Sequence, residues 1–373
     1  MKKINSIFIL ILALIAITSC NKARNVNVKT VINEDGTCTR EVSYETTMTQ
    51  ENRDINWGKG KTGHALPVPE NIDVESMTFS HNEIKGDTVK SVFTQKYASV
   101  EEMHNKSPFM LDGKPLKSKV EYKKENSFFY TTYTYAETFE SLKDELPIPV
   151  DSIGNKDIVQ YWFRGYPDIN IMCDEHGNSL PGSEVAVRIQ EIEEKVDKWV
   201  DNNIITVYFN TMAQYYDSIQ NPPVTKDEFL ASRKDFIKYF EKNFEVKLDT
   251  LDTDIRLCFD DYYKSNAYDI FFDDGCKYNK EIDEKIIKLF KILDIDIRHT
   301  VTMPGKVCAG NRIRFNYDED GTGHFRISGG DLITGDMYYS ISTRQYHPWA
   351  FVLTGLVIMI AVCSIIYGKK MKK

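Results

Sequence analysis

The sequence has too few basic residues for a typical nucleic-acid-binding protein and too little apolar content for a polytopic membrane protein. Its 47 Lys and Arg residues are outnumbered by 55 Asp and Glu residues, which gives a formal net charge of −8 over 373 residues. A nucleic-acid binder normally has a basic footprint, whereas the pI here is about 5.5 and the mean hydropathy is negative. With 42% hydrophobic and 12% aromatic residues, the chain can nevertheless form a sizeable core.

Short motifs for metal or covalent chemistry are missing as well. The sequence contains no CxxC pair, no HExxH and no nucleophile elbow. Gly58–Gly63 matches GxGxxG, but neither a strand before it nor a helix after it is indicated, so we interpret it as a flexible basic loop. Asp318–Gly323 begins like a calcium loop, yet Gly329 stands where the bidentate Glu is needed, so a hairpin turn is favoured. We therefore expect no cofactor, and a non-enzymatic protein is favoured.

The first 20 residues are typical of a bacterial lipoprotein signal peptide. A basic start, Met1-Lys2-Lys3, precedes an apolar run from Ile7 to Ile17 that is too short to span a bilayer. Ile17-Thr18-Ser19-Cys20 resembles a lipobox, which implies that Cys20 is lipidated and becomes the new N-terminus. We expect residues 1–19 to be the removed signal peptide; an ordinary signal peptide with a chance cysteine is the alternative.

The other end predicts one transmembrane helix, residues 348–368. The stretch from Trp349 to Tyr367 carries no charge, has aromatic residues at both boundaries and is long enough to cross a bilayer. Four lysines follow in the tail, residues 369–373, and the positive-inside rule places that tail in the cytoplasm. We therefore expect a single-pass protein of the bacterial cytoplasmic membrane whose body, residues 21–347, faces the periplasm or the exterior.

Removing the two ends changes the charge of the body. Six of the 47 basic residues lie in the ends, so 41 basic residues face all 55 acidic ones, a net charge of −14. The expected partners are the membrane, through Cys20 and the C-terminal helix, and another envelope protein or a glycan, but no nucleic acid. Five further cysteines are spaced without a ligand pattern and leave their pairing open: Cys38, Cys173, Cys258, Cys276 and Cys308.

Between the anchors the pattern runs from β to α and back to β, which predicts an α+β fold with N- and C-terminal antiparallel strands around a helical middle. We divide the body into a β-rich segment (20–136), a helical segment (137–293) and a β segment (294–347) that completes the exposed domain. Because both ends are tied to one bilayer, we expect the first and last β groups to share a sheet or adjoining sheets.

Individual elements can be placed within this division. Glu34-Asp35-Gly36 predicts a hairpin turn between residues 25 and 49. Further strands are expected near 72–80, 87–97, 117–124 and 127–136, and later ones around Ile297, around Phe325 and from Met337 to Ile341. The helical period from Val185 to Ile219 is interrupted near Asn202-Asn203, which predicts two helices or one bent helix there. Further helices are expected after a capping box that begins at Thr225 and from Lys280 to Leu293.

Parts of the chain resemble the LppM-type lipoprotein domain. The shared features are the lipobox, the early Asp-Gly hairpin, the late turn Thr302–Val307 and a last strand that leads into a terminal helix. They cover residues 20–49 and 295–367, about a third of the chain, while the late strand has Phe325 where a tryptophan is expected. The resemblance implies an envelope module without known catalysis, so it supplies no functional residues.

Two groups of residues remain as candidates for chemistry. Five carboxylates are interleaved with aromatic residues, which favours a solvated loop face and leaves a cation or carbohydrate site as the alternative; they are Asp260, Asp261, Asp269, Asp273 and Asp274. His299 lies on the apolar face of a predicted strand, which favours a hydrogen-bonded core histidine over a general base or ligand. We expect a non-catalytic envelope interaction module; the alternative is a membrane-tethered hydrolase or carbohydrate-binding protein that uses residues 260–274.

Overall fold

The computed structural model describes residues 24–47, 68–69, 71–85, 88–165, 173, 176, 178–244, 251–273, 275–311 and 316–371. It confirms the predicted α+β fold with sheets, a helical middle and one C-terminal apolar helix. The chain divides into two compact units. The β unit comprises Ala23–Glu140, Asp296–Ile327 and Met337–Lys373, and the helical unit comprises Ser141–Ile295 and Ser328–Asp336.

The described part of the β unit contains two main sheets. The first has the order β11-β12-β9-β1-β2-β4-β3, the second β10-β13-β8-β7, and β5 and β6 form a separate two-stranded ladder. The strands are β1 (Arg24–Ile32), β2 (Cys38–Thr47), β3 (Thr78–Lys85), β4 (Thr88–Tyr97), β5 (Met110–Leu111), β6 (Lys114–Pro115), β7 (Ser118–Asn126), β8 (Tyr130–Phe139), β9 (Asp296–Thr302), β10 (Lys306–Gly310), β11 (Asn316–Tyr317), β12 (Thr322–Ser328) and β13 (Met337–Tyr346).

The early and late strands pair directly, as predicted. β1 lies parallel to β9, with Val28 opposite His299, while β8 and β13 are antiparallel from Tyr130 opposite Tyr346 to Phe139 opposite Met337. The Asp-Gly turn also forms, because Gly36 adopts a φ of +86° that glycine tolerates and the Asn33 N–H donates to the Thr37 carbonyl at 2.9 Å. Segments far apart in sequence thus build one β unit.

Some strand boundaries differ from the prediction. The strand expected near 72–80 is instead β3 at Thr78–Lys85, and the strand expected near 127–136 runs on to Phe139, inside the segment predicted as helical. The late β segment is interrupted by a short helix, α7 (Gly329–Ile333), which belongs to the helical unit. The basic glycine loop, Gly58–Gly63, lies outside the described residues.

The helical unit packs its helices around an aromatic core. Its described helices are α2 (Lys156–Arg164), α3 (Gly182–Gln214), α4 (Lys226–Asn243), α5 (Leu251–Tyr263), α6 (Lys277–Leu293) and α7; α1 (Val100–His104) belongs to the β unit. The predicted capping box forms at the start of α4, since Thr225 and Glu228 bond to each other's backbone N–H groups. Phe209, Phe229 and Phe259 are completely buried, and the Phe209 and Phe229 rings stack with centroids 4.1 Å apart.

Of the two alternatives for residues 185–219, two separate helices are wrong, because α3 is one continuous helix through Asn202 and Asn203. The helix continues through Asn203 because that side chain is fully buried and satisfied, donating to the Trp199 carbonyl at 2.9 Å and accepting from the Ile148 N–H at 2.8 Å. Tertiary partners therefore override the local preference of asparagine for turns. The prediction also missed α2 and α5, and α6 begins at Lys277 rather than Lys280.

The last helix, α8 (Pro348–Met371), follows β13 after a single intervening residue, His347. Its 20-residue stretch Pro348–Tyr367 is long and apolar enough to cross a membrane, and almost none of it is buried against the rest of the chain. The exposed apolar side chains of this helix, such as Ile360 and Ile366, set it apart from a helix of a soluble core.

Candidate functional site

The acidic–aromatic region is not the loop that the sequence favoured, although Asp261 and Asp273 are exposed to solvent as that interpretation requires. Asp260 and Asp261 lie on helix α5, Asp269 begins a 3₁₀ turn (Asp269–Phe271), and Asp273 follows that turn. Asp274 lies outside the described residues. Within the described residues, no three His, Cys, Asp or Glu side chains come together as the ligands of a metal ion would.

Two carboxylates of this region, Asp261 and Asp269, have a basic partner. Asp261 accepts hydrogen bonds from Lys264 at 2.5 Å and from the Tyr239 hydroxyl, and these two bonds lower the pKa of Asp261. The guanidinium of Arg256 lies 4.0 Å from Asp269. Burial, followed by the charge of Asp269, raises the pKa of Asp260. Asp261 is thus engaged on its own, whereas Asp260 and Asp269 lie close enough for their charges to interact, and one carboxylate oxygen of each is buried without a hydrogen-bond partner.

The neighbouring aromatic rings belong to the core of the helical unit. Phe271 is fully buried, and the Tyr263 ring stacks on Phe229 with centroids 5.7 Å apart. The Tyr263 hydroxyl is paired with the Ser232 hydroxyl at 2.6 Å. These rings pack against other rings, so they do not present faces on which a sugar would stack.

The most unusual chemical arrangement lies in the β unit, where ionisable and hydroxyl side chains meet between the two main sheets. The first sheet contributes Thr30 from β1, Arg40 from β2 and His299 from β9. The second sheet contributes Tyr135 and Glu137 from β8 and Tyr339 from β13. Each of the six is at most 2% exposed. We call these residues the inter-sheet network.

The strand register explains why these side chains meet. Thr30 lies directly opposite Arg40 in the β1–β2 ladder, and Glu137 lies directly opposite Tyr339 in the β8–β13 ladder. Directly opposite residues project to the same face of a sheet, so each ladder presents a polar pair to the other sheet. His299 projects into the space between them.

The hydrogen bonds of the network run in one direction. Arg40 Nε donates to Thr30 Oγ1 at 3.4 Å, and Thr30 Oγ1 lies 2.9 Å from His299 Nε2. His299 Nδ1 lies 2.5 Å from the Tyr339 hydroxyl, which donates to Glu137. Because Tyr339 uses its proton on Glu137, His299 must carry its own proton on Nδ1 and accept at Nε2. Each hydrogen bond in this chain is then donated in the same direction, from the guanidinium of Arg40 toward the carboxylate of Glu137.

Glu137 is the acceptor end of this chain. Besides Tyr339, it accepts from the Tyr135 hydroxyl at 2.8 Å and from the Ser118 hydroxyl at 2.9 Å. Burial alone would raise the pKa of Glu137, but the positive charges of His299, where it is protonated, and of Arg40, together with the two tyrosine hydroxyls, outweigh burial and lower it. The buried carboxylate is therefore ionised, and its negative charge is both hydrogen-bonded and compensated.

The histidine at the centre of the network is uncharged at neutral pH. Burial lowers the pKa of His299 to about 4; the nearby Glu137 opposes this shift and Arg40 adds to it. Burial also raises the pKa values of Tyr135 and Tyr339 well above 10. The prediction of a hydrogen-bonded core histidine is confirmed. Since no member is accessible to solvent, the network joins the sheets and offers no surface to a substrate.

A shallow cleft of about 490 Å³ lies elsewhere on the β unit, near α1. Its lining carries both signs of charge and includes His104, Lys117 and Glu140, with Lys117 and Glu140 forming a solvent-exposed ion pair at 3.7 Å. The Ser107 hydroxyl, which also lines it, is buried without a hydrogen-bond partner. Residues 260–274 do not contribute to this cleft.

The described cysteines are free thiols. Burial raises the pKa of Cys38 to about 11 and that of Cys258 to about 12, so both are unreactive core residues at neutral pH. Cys173 and Cys276 are partly buried, and Cys308 is exposed on β10. Cys20, the predicted lipidation site, lies outside the described residues.

Sequence reasoning found His299 but missed its partners. Arg40 alternates with Cys38, Val42 and Tyr44, which are all buried, so the period of two along β2 already indicated that Arg40 faces inward. Glu137 stands in the same way between Tyr135 and Phe139. The sequence signal was a charged residue at the alternate positions of a strand whose other members are apolar. No pattern indicated that the charges of Arg40 and Glu137 would come close together.

Comparison with known proteins gave no match: no family model, no curated protein and no solved structure matches this chain. The described fold is that of an α+β protein whose last strand is followed, after one residue, by a helix long and apolar enough to span a membrane.

Proposed function

We propose that the protein is a lipoprotein of the bacterial cell envelope, anchored in the cytoplasmic membrane by α8 and by a lipid on Cys20, and that its exposed body is a non-catalytic module that binds another envelope component. The observation that carries the proposal is the junction between β13 and α8, where one residue separates a ten-residue strand from the apolar helix. A junction this short keeps the β unit at the surface of the membrane that the helix enters.

The strand directions constrain how both anchors reach one bilayer. The β1–β2 turn lies near α8, because Glu34 accepts hydrogen bonds from Lys124 and from Gln345, which is three residues before the helix. Arg24, at the other end of β1, is therefore roughly 26 Å away along the strand. Cys20 is four residues before Arg24 and can reach at most about 14 Å from it.

A lipid on Cys20 consequently reaches the membrane of α8 only if β1 is inclined to the membrane normal by roughly 57° or more, since the reach of about 14 Å must cover the rise of the strand. The lipid then serves to fix the inclination of the β unit. Retention does not require it, because a spanning helix is already an effectively permanent anchor.

Four chains test the two anchors: the wild type, Cys20→Ala, a chain that ends at His347, and a chain with both changes. We expect the first three in the membrane fraction after expression in a bacterium that lipidates such cysteines, and only the double change in the soluble fraction. Release of Cys20→Ala would contradict the helix anchor. Release of the chain that ends at His347 would contradict the lipid anchor.

The body's charge supports the choice of an envelope partner. Its net charge of −14 favours a basic protein surface and disfavours nucleic acid. We expect a partner that co-purifies with the full chain from native membranes at low salt and dissociates at high salt, because screening weakens contacts between exposed charges. A complex of unchanged yield at high salt would contradict recognition through the acidic surface.

The alternative function, a hydrolase or carbohydrate-binding protein that uses residues 260–274, has less support. Asp261 is engaged by Lys264 and Tyr239, and Phe271 is in the core. If the alternative were right, changing Asp269 and Asp273 to Asn together would abolish binding to peptidoglycan fragments or activity on them. We expect no change in either.

A further inference from the structure

The hairpin between β7 and β8 ends in two exposed aromatic residues. Phe128 is 49% exposed and Phe129 is 37% exposed, and their rings meet edge to face with centroids 4.9 Å apart. The segment from Asn126 to Ala136 contains no charged residue. Two adjacent phenylalanine side chains are therefore exposed to water at the tip of an uncharged hairpin. This is uncommon, because each ring has a large apolar area whose burial in an apolar environment is favourable.

The tip touches the first turns of the apolar helix. The Phe128 ring packs edge to face on Trp349 with centroids 5.3 Å apart, and the Phe129 ring packs on Phe351 at 5.1 Å. Trp349 and Phe351 are themselves 57% and 51% exposed. The hairpin rings and the helix rings thus form one exposed aromatic surface, which we call the aromatic collar: Phe128, Phe129, Tyr346, Trp349 and Phe351.

Hydrogen bonds fix the hairpin to the strand–helix junction. The backbone N–H of His347 donates to the Phe129 carbonyl at 2.8 Å, and its ring Nδ1 lies 3.1 Å from the Phe128 carbonyl. Its Nε2 lies 2.9 Å from the Thr131 hydroxyl. Both ring nitrogens and the backbone of one residue therefore position the tip, so the collar is a fixed arrangement and not a chance contact of two side chains.

The contact with the helix determines the depth of the tip. A spanning helix that begins at Pro348 places Trp349 and Phe351 where its apolar stretch begins, and rings about 5 Å away lie at the same level. The interfacial region on each side of the hydrocarbon is itself only about 5–8 Å thick, and aromatic side chains are enriched there. Phe128 and Phe129 must then lie in that region.

We propose that the tip of the β7–β8 hairpin binds the phospholipid interface of the outer leaflet, as a second protein contact with the membrane beside α8. This proposal rests on the proposed spanning of the membrane by α8. Two adjacent contacts, helix and hairpin, restrain the rotation of the β unit about the single residue that joins β13 to α8.

The test uses the full chain in nanodiscs of phosphatidylethanolamine and phosphatidylglycerol that contain a phospholipid with a photoactivatable diazirine near the start of its acyl chain. After illumination, tryptic peptides are examined for lipid adducts by mass spectrometry. We expect adducts on residues 125–143, which contain the tip, and on residues 345–369, which contain the helix. We expect none on the peptide that contains Ile84.

Two variants make the result specific. Changing Phe128 and Phe129 together to Ser should lower adducts on residues 125–143 by roughly fivefold or more, because the apolar surface that favours the interface is lost. Adducts on residues 345–369 should not change. The matched control is Ile84→Ser, which removes an equally exposed apolar side chain (56%) from β3 at the strand end away from α8 and should change neither peptide.

The outcomes separate this proposal from the one on which it rests. Adducts on the helix peptide without adducts on the hairpin peptide would overturn the hairpin proposal and leave the helix anchor intact. Equal labelling of the hairpin peptide in the double-Ser variant and the wild type would also overturn it, because the rings would then have no role. Absence of adducts on the helix peptide would instead overturn the spanning of the membrane by α8.

Discussion

The β unit and the helical unit differ in what they bury. Between its two main sheets the β unit holds an arginine, a glutamate and a histidine, joined by hydroxyl groups. The helical unit instead stacks aromatic rings such as Phe209, Phe229 and Phe259. Polar networks demand a particular set of partners, whereas apolar cores tolerate repacking if volume is kept. The two units should therefore lose different amounts of stability on substitution. Their stabilities should also change in opposite directions as the pH is lowered.

The largest effect is expected from Glu137→Ala in the β unit. The change leaves Arg40 buried without its compensating charge and leaves three hydroxyl donors without an acceptor, so we expect a loss of about 4–5 kcal/mol in the free energy of opening. Hydrogen exchange of the β8 and β13 amides measures it. Glu121→Ala, which removes an exposed carboxylate from the neighbouring β7, should cost less than about 0.5 kcal/mol. Equal effects of the two changes would show that the network contributes nothing.

A slightly smaller effect is expected from Phe229→Ala in the helical unit. Phe229 is fully buried and stacks on Phe209, Tyr263 and Tyr268, so the cavity and the lost burial should cost about 3–4 kcal/mol. The α4 and α5 amides should lose protection from hydrogen exchange while the β13 amides keep theirs. The adjacent Leu230, 48% exposed, supplies the control, since Leu230→Ala should leave exchange unchanged.

Acid should destabilise the β unit through His299. The pKa of this buried histidine is lowered to about 4, so between pH 6.5 and 4 the unfolded chain binds a proton that the folded chain does not. The β unit should lose about 1.4 kcal/mol per pH unit over that range, about 3 kcal/mol in total. Glu137, whose pKa is also lowered, acts in the same direction because its contribution is lost as the pH falls through its folded pKa.

Exchange of the β13 amides, corrected for the intrinsic rate at each pH, measures this slope. His299→Gln keeps one donor and one acceptor without a titrating group and should flatten it. His81→Gln, at an exposed position of β3, should leave it as it is. A wild-type slope of zero between pH 6.5 and 4 would contradict a neutral buried His299.

The helical unit should respond in the opposite direction, with the smallest effect. Burial, and then the charges of Glu193 and Glu194, raise the pKa of Asp197 on α3 to about 6. Between pH 3.8 and 6 the folded chain therefore binds more protons than the unfolded chain, and stability falls as the pH rises. Because Asp197 is only partly buried, solvent screening limits the effect to about 1 kcal/mol. Asp197→Asn should raise the protection of the α3 amides at pH 7 and leave it unchanged at pH 4.

The sequence was sufficient where a local pattern decides the structure. The Asp35-Gly36 turn and the capping box of Thr225 and Glu228 were predicted because their chemistry is contained within four residues. The failures have tertiary causes. Asn203 stays helical because Ile148 and Trp199 satisfy its amide, and α5 was taken as a loop because its acidic surface residues obscured the buried Ile255, Cys258 and Phe259.

The inter-sheet network could not be assembled from the sequence. Each inward position was visible from the period of two along its strand, but Thr30 and His299 are 269 residues apart and meet only through the parallel pairing of β1 and β9. The aromatic collar has a similar origin, since His347 and Phe129 are brought together by the β8–β13 register. Local patterns predicted the strands, and the register determined the contacts.

The central claim is that α8 spans the cytoplasmic membrane and holds the β unit outside. Cys308 is exposed on β10 of that unit, and Lys372→Cys adds a thiol to the tail beyond the helix. In intact spheroplasts, a membrane-impermeant maleimide should label Cys308 and should label the tail thiol only after permeabilisation. Labelling of the tail thiol with protection of Cys308 in intact spheroplasts would contradict the account.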